Sequence, residues 1–410
     1  MKRLQAYKFQ LKTKAAQKSL MRRFAGDCRF VWNKALALEK EAYEETGRRL
    51  GYSNLCVHLR DWKQEEETSF LKEINAQILQ QTLMDLDRAY RNFFSRRATF
   101  PKFKKKGVHD SFRFPQGGRL EDSSRTRGFK LDEPNSRIYL PKIGWVSYRN
   151  SRKMEGKPKQ ATVSYSAGKW YVSIQTEREV DDPIHPSVTT IGVDMGVVNF
   201  ATLSDSTCIK PLNSFRRYEK KLVKLQRKLA KRTRFSANWQ KRKARVQHLH
   251  RKIANVRHDF LHKTSTTISK NHAVVIVEDL HVRNMTRAAA GTIEAPGHNV
   301  WATARRTLSI LDQGWFEFRR QLDYKLKWLG GRLIAVPPQH TSQRCSRCGH
   351  TDARSRRTQA DFRCTACGFE SNADHNAALN ILAAGQAVAA CGSGRAQAPA
   401  LNQEPICGAA

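Results

Sequence analysis

No run of about 18 or more apolar residues, the length that a membrane-spanning helix needs, occurs in this 410-residue chain. The N-terminal residues 1–8 are charged and lack an apolar segment, so we expect neither a secretory signal nor a membrane partner. A disulfide framework is also missing, because five of the nine cysteines follow no regular spacing. Those five are Cys28, Cys56, Cys208, Cys391 and Cys407. Together these absences predict a protein of a reducing, cytoplasmic compartment.

Acidic residues are scarce in this chain. It has 37 Asp and Glu against 74 Lys and Arg, which gives a formal net charge of +37 and a pI near 10.2. Solubility does not require such an excess of positive charge. The composition therefore indicates a polyanionic partner. Nucleic acid is the first candidate, and a membrane surface is a weaker candidate that we do not retain. The length suggests two or three domains.

The remaining four cysteines form two Cys-x2-Cys pairs that are separated by fifteen residues. They are Cys345, Cys348, Cys364 and Cys367. A glycine follows each pair and lets the backbone turn, so that amide groups can point at the sulfur atoms. Four thiolates complete a tetrahedral zinc shell with no open position. The spacing therefore predicts one structural zinc ion in a zinc ribbon.

The spacing of apolar residues predicts a change of structure along the chain. The expected segments are a strand at 1–10, helices within 14–97, short antiparallel strands within 98–180 that form a small barrel or sheet, and a linker at 181–186. An α/β region follows, with strands at 189–194, 198–203, 273–278 and 332–336 and helices at 214–270, 315–329 and 373–384. This order of elements is that of an RNase H-like sheet.

Three acids occupy ends of elements in the α/β region. Asp194 lies on the first strand, Glu278 ends a buried strand, and Asp374 begins the last helix. Each alone is more typical of a solvated strand end or a helix start than of a catalytic group. On neighbouring central strands and the terminal helix, however, the three can converge, and hard divalent ions such as Mg²⁺ relieve their repulsion. Two ions roughly 3.5–4 Å apart hydrolyse phosphodiesters in nucleases. We interpret Asp279 as an acid outside the ligand set, either in the shell around the metal ligands or purely structural, because it points to the other face if the strand continues.

A strongly basic stretch runs from Arg216 to Arg257, with seventeen Lys and Arg residues against one acid. An apolar stripe at helical spacing accompanies it, so the basic side should face outward. An ordinary charged helix would alternate its signs, which favours phosphate contacts here. The representative candidates are Arg227, Lys231 and Arg242, with Lys102 and Lys104 in a smaller cluster.

Several motifs together make the chain resemble TnpB, the OrfB family of insertion-sequence proteins. They are Gly192–Gly196, Val277–Leu280, the two cysteine pairs, Asp374–Asn380, Cys28–Asn33, Tyr90–Phe94 and Phe100–Lys104. The order of the acids, Asp-Glu-Asp, also resembles RuvC-type nucleases more than transposases that use Asp-Asp-Glu. The resemblance implies an RNA-guided DNA endonuclease. Its guide RNA would come from the transposon end, its target would be double-stranded DNA, and one RuvC site with two Mg²⁺ would cut both strands.

The resemblance also implies a domain plan with a wedge-type β-barrel, a helical recognition lobe and a RuvC domain that contains the zinc ribbon. The expected boundaries are 1–13 (barrel, first part), 14–97 (recognition lobe), 98–182 (barrel, second part), 183–340 (RuvC), 341–370 (zinc ribbon), 371–386 (last RuvC helix) and 387–410 (flexible tail). It further implies a bacterial or archaeal, nucleoid-associated protein.

The residues that read the duplex motif next to the target are the least transferable part of the resemblance. The candidates are Tyr52, Gln77, Gln80 and Gln116. Glutamine pairs well with adenine edges, but ordinary surface residues fit these positions equally well. Three alternatives to the transposon-encoded nuclease stay open: a compact CRISPR effector nuclease, a non-cleaving RNA-guided repressor, and a transposase acting directly on DNA.

Overall fold

The chain divides into two units at the linker predicted for residues 181–186. A computed structural model describes residues 1–121, 128–291 and 295–391. The units are Met1–Asp181 and Asp182–Ala410, so the observed division lies one residue from the expected boundary after residue 182. Among the described helices, none combines the length and the apolar character needed to cross a membrane.

The first unit combines strands and helices around one core. Its elements are β1 (Lys2–Lys12), α1 (Ala15–Thr46), α2 (Gly51–Gln64), a 3₁₀ helix (Glu66–Lys72), α3 (Ala76–Phe94), β2 (Ser111–Phe114), β3 (Gly117–Arg119), β4 (Phe129–Asp132), β5 (Arg137–Leu140), β6 (Gly144–Tyr148), β7 (Lys157–Ser166) and β8 (Lys169–Glu179). In α3, Asn75 caps the first turn and accepts a hydrogen bond from Gln77 N at 2.9 Å. Ile78, Leu79 and Leu83 form its buried face.

The strands of the first unit form one sheet in the order β2-β7-β8-β1-β6-β5-β4-β3. The predicted closed barrel is therefore not confirmed. The edge strands of the observed sheet, β2 and β3, have only four and three residues, and no hydrogen-bonded pairing joins them in the described ranges. The helical prediction for 14–97 and the strand-rich prediction for 98–180 agree with the observed elements.

The second unit contains a smaller sheet and longer helices. Its elements are β9 (Thr190–Asp194), β10 (Ala201–Leu203), β11 (Cys208–Ile209), α4 (Ser214–Ala230), α5 (Ala237–Asn271), β12 (Val274–Glu278), α6 (Val282–Met285), α7 (Val300–Gln313), α8 (Trp315–Leu329), β13 (Arg332–Val336), β14 (Asp361–Arg363), β15 (Glu370–Asn372) and α9 (Ala373–Cys391), with a short 3₁₀ turn at Ala353–Ser355.

Both faces of the second sheet are covered by helices. The strand order is β11-β10-β9-β12-β13, and β12 runs parallel to both β9 and β13. Because side chains alternate along a strand, Val193 and Val277 pack toward α5, α7 and α8, whereas Ile276 packs toward Ile381 of α9. Burial on both faces explains why β9 and β12 consist almost entirely of apolar residues.

The structure corrects three predicted boundaries. The strand expected at 198–203 begins only at Ala201, because the chain turns before it and Gly196 N donates to Phe200 O at 3.3 Å. The helical run expected at 214–270 is broken between Ala230 and Ala237, where Ser236 caps α5. The last helix continues to Cys391, beyond the expected end at 384 and into the segment expected to be a flexible tail. Residues 392–410 of that tail lie outside the described residues.

Candidate functional site

Two of the predicted acids lie at the same edge of the second sheet. Asp194 ends β9 and Glu278 ends β12. The strands are parallel, and Val193 pairs with Val277 directly before the two acids. Parallel neighbours present their carboxyl ends at one edge, where an open α/β sheet binds its ligands. The buried apolar strands thus hold both carboxylates at the edge formed by the carboxyl ends of the strands.

The third acid, Asp374, lies on α9, and this helix packs unusually close to β9. A Cβ atom on Gly192 would come within 2.3 Å of the carbonyl oxygen of Ala378 and 2.8 Å of the amide nitrogen of Leu382. Only glycine allows this approach. At the start of the helix, Asn372 Oδ1 accepts hydrogen bonds from the backbone amides of Asp374 and His375 at 3.0 and 3.3 Å. The predicted cap is confirmed, and it places Asp374 in the first turn.

The electrostatics couple the three carboxylates. Burial and, to a smaller extent, the negative charges of Glu278 and Asp374 raise the pKa of Asp194 to about 7, while the charge of Arg356 opposes them. Burial also raises the pKa of Glu278, against the hydrogen bond from Thr341 and the charge of Arg356. The nearest cation to Asp374 is Arg356, at 3.9 Å between Nη2 and Oδ1. The site thus concentrates negative charge in a protein that is otherwise strongly basic.

The three carboxylates interact through their charges but do not form a group as compact as the four cysteines. Among the described residues, the cysteine cluster is the group whose possible ligand atoms all lie within 4.8 Å of one another, and the three acids do not draw that close. Oxygen ligands that surround a site from several sides are what hard divalent cations require. The oxygen donors, and a mutual repulsion that Arg356 offsets only in part, therefore fit Mg²⁺ or a similar cation.

Hydrogen-bonding partners of these acids were missed by the sequence analysis. Thr341 Oγ1 donates to Glu278 Oε1 at 2.5 Å. Asn199 Nδ2 donates to Asp374 Oδ2 at 3.1 Å, and Lys210 Nζ donates to Asn199 Oδ1 at 3.0 Å. No local pattern marks these residues, because each contact joins positions far apart in the sequence. They orient the carboxylate oxygens rather than add further acidic ligands.

Asp279 forms an ion pair with Arg319 of α8. Its carboxylate is therefore committed to a neighbouring helix, as expected for a structural acid beside Glu278.

The four cysteines form a compact cluster. Cys345 Sγ lies 3.8 Å from Cys367 Sγ, and Cys348 Sγ lies 3.6 Å from Cys364 Sγ. A zinc tetrahedron with bonds of about 2.3 Å has sulfur–sulfur edges of about 3.8 Å, so the spacing is compatible with zinc. Hydrogen bonds from backbone amides lower the pKa of Cys364 to about 6, which favours the thiolate that a metal requires. The glycines after the two pairs have φ of +77° and +68°.

The cysteine segment is joined directly to the helix that carries Asp374. Its hairpin of β14 and β15 ends at Asn372, the cap of α9. One helical turn further, Asn376 accepts from Ser346 N at 2.9 Å and donates to Arg344 O at 2.8 Å, and Asn380 donates to the same carbonyl. These buried asparagines attach α9 to the first cysteine loop.

The candidates for duplex reading are only partly brought together. Gln77 Nε2 donates to Gln116 Oε1 at 3.3 Å, and Gln80 is exposed on the same helix as Gln77. Tyr52 is half-buried and packs against the core of the first unit. In the smaller basic cluster, Lys102 is exposed. The ammonium of Lys104 lies 3.9 Å from the ring centre of Trp32, so part of its positive charge is engaged in a cation–π contact within the protein.

The basic stretch forms the helical hairpin of α4 and α5. Leu222, Val246, Leu249 and Ile253 are buried between the two helices, which confirms that the apolar stripe packs and leaves the basic side outward. Fourteen of the seventeen Lys and Arg residues are exposed. Of the representative candidates, Arg227 and Lys231 are exposed and Arg242 is half-buried.

Comparison with known proteins identifies the family. The OrfB/IS605 model, described as "Probable transposase", matches residues 173–289, a Cas12f1-like TNB domain model matches 315–381, and an OrfB/IS605 helix-turn-helix model matches 1–48. In this structure residues 2–46 form only β1 and the single helix α1. The chain is 54% identical to the "Putative RNA-guided DNA endonuclease InsQ" of Escherichia coli K12, over 99% of this chain and 98% of the relative. It therefore belongs to the OrfB/IS605, TnpB-like family.

A more distant relative and a solved structure agree with this placement. A "Putative RNA-guided DNA endonuclease" of Streptomyces pristinaespiralis is 31% identical over 95% of this chain and 91% of its own length. A Cas12f1 structure, solved with its guide RNA and target DNA, superposes with a TM-score of 0.55 at 16% identity, covering 90% of this chain and 83% of that one. At this identity the superposition shows a common fold.

Proposed function

We propose that this chain is a transposon-encoded, RNA-guided endonuclease that cuts double-stranded DNA next to a short transposon-adjacent motif. The observation that carries the proposal is the convergence of Asp194, Glu278 and Asp374 at one edge of the second sheet, in a chain with a net charge of +37. The names of the full-length relatives agree with it. The guide RNA would come from the transposon end and would select the target by base pairing.

The three acids are proposed as the catalytic ligands of two Mg²⁺ ions in a RuvC-type site. When bound there, such ions stabilise charge on the attacking and leaving oxygens of a phosphodiester. The protein's own groups hold this site in shape: Thr341 orients Glu278, and Asn199 orients Asp374. Burial of Asp194 and Glu278 limits the water around them, which strengthens every charge interaction in the site.

The cysteine cluster is proposed to hold one structural zinc ion. All four of its positions would be filled by thiolates, so no position remains for water or substrate. Its role is to fix the segment between Thr341 and Asn372, which leads directly into Asp374.

The domain plan expected from the sequence is kept as a proposal, with its barrel replaced by the open sheet of the first unit. The basic hairpin, including Arg227, Lys231 and Arg242, would contact phosphates of the guide RNA or the DNA. Gln77, Gln80 and Gln116, with Tyr52, remain the candidates for reading the adjacent motif. We also keep the expectation of a cytoplasmic, nucleoid-associated protein.

The proposal is tested with Asp194→Ala in the protein purified together with its RNA. We expect guided DNA binding to persist and cleavage to be lost, because the carboxylate and the basic surfaces are separate groups. Asp205→Ala, which removes an exposed acid on the β10–β11 turn, is the matched control and should cleave normally. If Asp194→Ala cut DNA at the wild-type rate, the assignment of the site would be wrong.

The alternative of a compact CRISPR effector is favoured by the matching TNB domain model and by the Cas12f1 fold. Sequencing the RNA that co-purifies from the native host separates the two. RNA that matches a transposon end supports the proposal, and RNA derived from a repeat array supports the alternative. A non-cleaving repressor would bind the same target and leave it intact, although all three acids are present here.

A further inference from the structure

Next to the acidic site lies a cavity of about 340 Å³. Its volume is at the lower end of the range for ligand pockets, about 300–1,000 Å³. Glu278 forms part of its wall, and Met195, which follows Asp194, forms another part. The cavity is therefore continuous with the strand ends that carry the acids.

The opposite wall is aromatic and comes from the first turn of α8. Trp315 and Phe316 both line the cavity. Trp315 is only 4% exposed, and within the described residues its buried indole Nε1–H has no hydrogen-bond partner. That nitrogen has almost no accessible surface, so Trp315 contributes packed ring surface to the wall and does not offer its N–H to a ligand. Phe316 is 59% exposed and offers an aromatic face.

The rest of the wall is polar and basic. The ion pair of Asp279 and Arg319 offers both acceptors and donors, and the exposed residues His281 and Arg283 stand at the rim. An aromatic face and nearby cations match the needs of a nucleotide. Its base stacks and hydrogen-bonds, and its phosphates bind cations.

Resting on the proposed nuclease function, we propose that this cavity receives one unstacked base of the DNA strand being cut. The base stacks on the exposed ring of Phe316, and the cations at the rim contact the adjoining phosphates. Because Glu278 belongs both to the cavity wall and to the acidic site, the base belongs to a nucleotide that flanks the scissile phosphate. Removing a base from its stack in this way is how other DNA enzymes expose a reacting nucleotide. The cavity would hold the strand in register while the phosphate is attacked.

The first test pairs Phe316→Ala with abasic substrates, in the assembled protein–RNA complex. Nucleotides on either side of the cut are replaced one at a time by abasic residues, and single-turnover cleavage is measured. We expect one abasic position to slow the wild type by about 5- to 100-fold, and Phe316→Ala to slow the intact substrate by a similar factor. Combined, the two changes should slow cleavage no further, because both remove one contact.

One control variant completes this test. Trp301→Ala removes a 72% exposed aromatic side chain of α7 that does not line the cavity, and should match the wild type. Additive effects of Phe316→Ala and the abasic substrates, or equal rates for Phe316→Ala and Trp301→Ala, would overturn the proposal.

A second measurement is independent of cleavage. In the Asp194→Ala complex, 5-iodouracil is placed at the sensitive position, irradiated, and the crosslinked peptide is identified by mass spectrometry. We expect the crosslink at Trp315 or Phe316, and a crosslink on another element would refute the proposed pocket. If the wild type cleaves no DNA, the nuclease proposal fails, whereas the crosslink still decides whether the cavity binds a base.

Discussion

Replacing Gly192 by alanine tests whether the close approach of α9 to β9 sets the position of Asp374. The added Cβ would come within 2.3 Å of Ala378 O, about 1 Å short of the 3.4 Å at which ordinary contacts begin. The atoms it meets first are backbone atoms of a helix, which cannot rotate away as a side chain can. The helix, together with Asp374 in its first turn, must therefore shift by about this distance.

Both stability and activity should respond to that shift. Overpacking a well-packed core costs about 1–3 kcal/mol. A displacement of about 1 Å at a catalytic group costs on the order of 100-fold in rate. We therefore expect Gly192→Ala to unfold at lower denaturant concentration and to cleave guided DNA about 100-fold more slowly.

Chemical unfolding and single-turnover cleavage measure these effects, and two other glycines calibrate them. Gly26→Ala, in helix α1, meets only a side-chain atom of Arg29 at 3.6 Å and should be neutral or slightly stabilising. Gly385→Ala meets side-chain atoms of Ile276 from 2.4 Å, which can move, and should have an intermediate effect. A Gly192→Ala protein as stable and as active as Gly26→Ala would refute the reasoning.

Two further predictions concern the cysteines and the buried acid. Cys364→Ser should lower the zinc content measured by atomic absorption and reduce cleavage, whereas Cys208→Ser, an exposed cysteine outside the cluster, should change neither. A zinc-free Cys364→Ser protein with wild-type activity would contradict the coupling. For Asp194, the pKa of about 7 in the folded protein lies above the ordinary value of 3.8, so the folded state binds more protons than the unfolded state between these values. The metal-free protein should therefore lose stability as pH rises from about 4 to 7, by up to about 4 kcal/mol. When the free energy of unfolding is measured from pH 5 to 8, metal-free Asp194→Asn should lack this loss and the control Asp205→Asn should retain it. If the free energy of Asp194→Asn fell with pH as steeply as that of the wild type, the effect would be excluded.

Continuous apolar runs made parts of the second sheet predictable from the sequence. The predicted bounds of α8 and β13 agree with the structure, and those of β12 differ by one residue at its start. Such segments are buried on both faces, so their composition alone distinguishes them. By contrast, the strand expected at 198–203 is half as long, because Val198 is exposed in a turn that apolar content does not reveal. Local pattern therefore predicts buried elements better than it predicts their ends.

Relations between distant segments were less accessible from the sequence. The predicted barrel is not confirmed. Closure requires two short edge strands to pair across the sheet, and no local signal in the sequence encodes such pairing. The three acids could be selected because each ends or begins a recognisable element. Thr341 and Arg356 could not be selected in this way, because they lie outside regular helices and strands. Their importance is visible only from their contacts with Glu278 and Asp374.

Those two residues change how the cysteine segment is understood. It leads directly into Asp374 through β14 and β15. In the structure it also supplies the hydroxyl of Thr341 to Glu278, the guanidinium of Arg356 to the acidic site, and the Asn372 cap beneath Asp374. Two of the three acids thus take hydrogen-bonding or charged partners from one small module. Since that module has little apolar core of its own, we expect its conformation to depend on the proposed zinc ion. Zinc loss should therefore disturb Glu278 as well as Asp374, and loosen two sides of the proposed magnesium site at once.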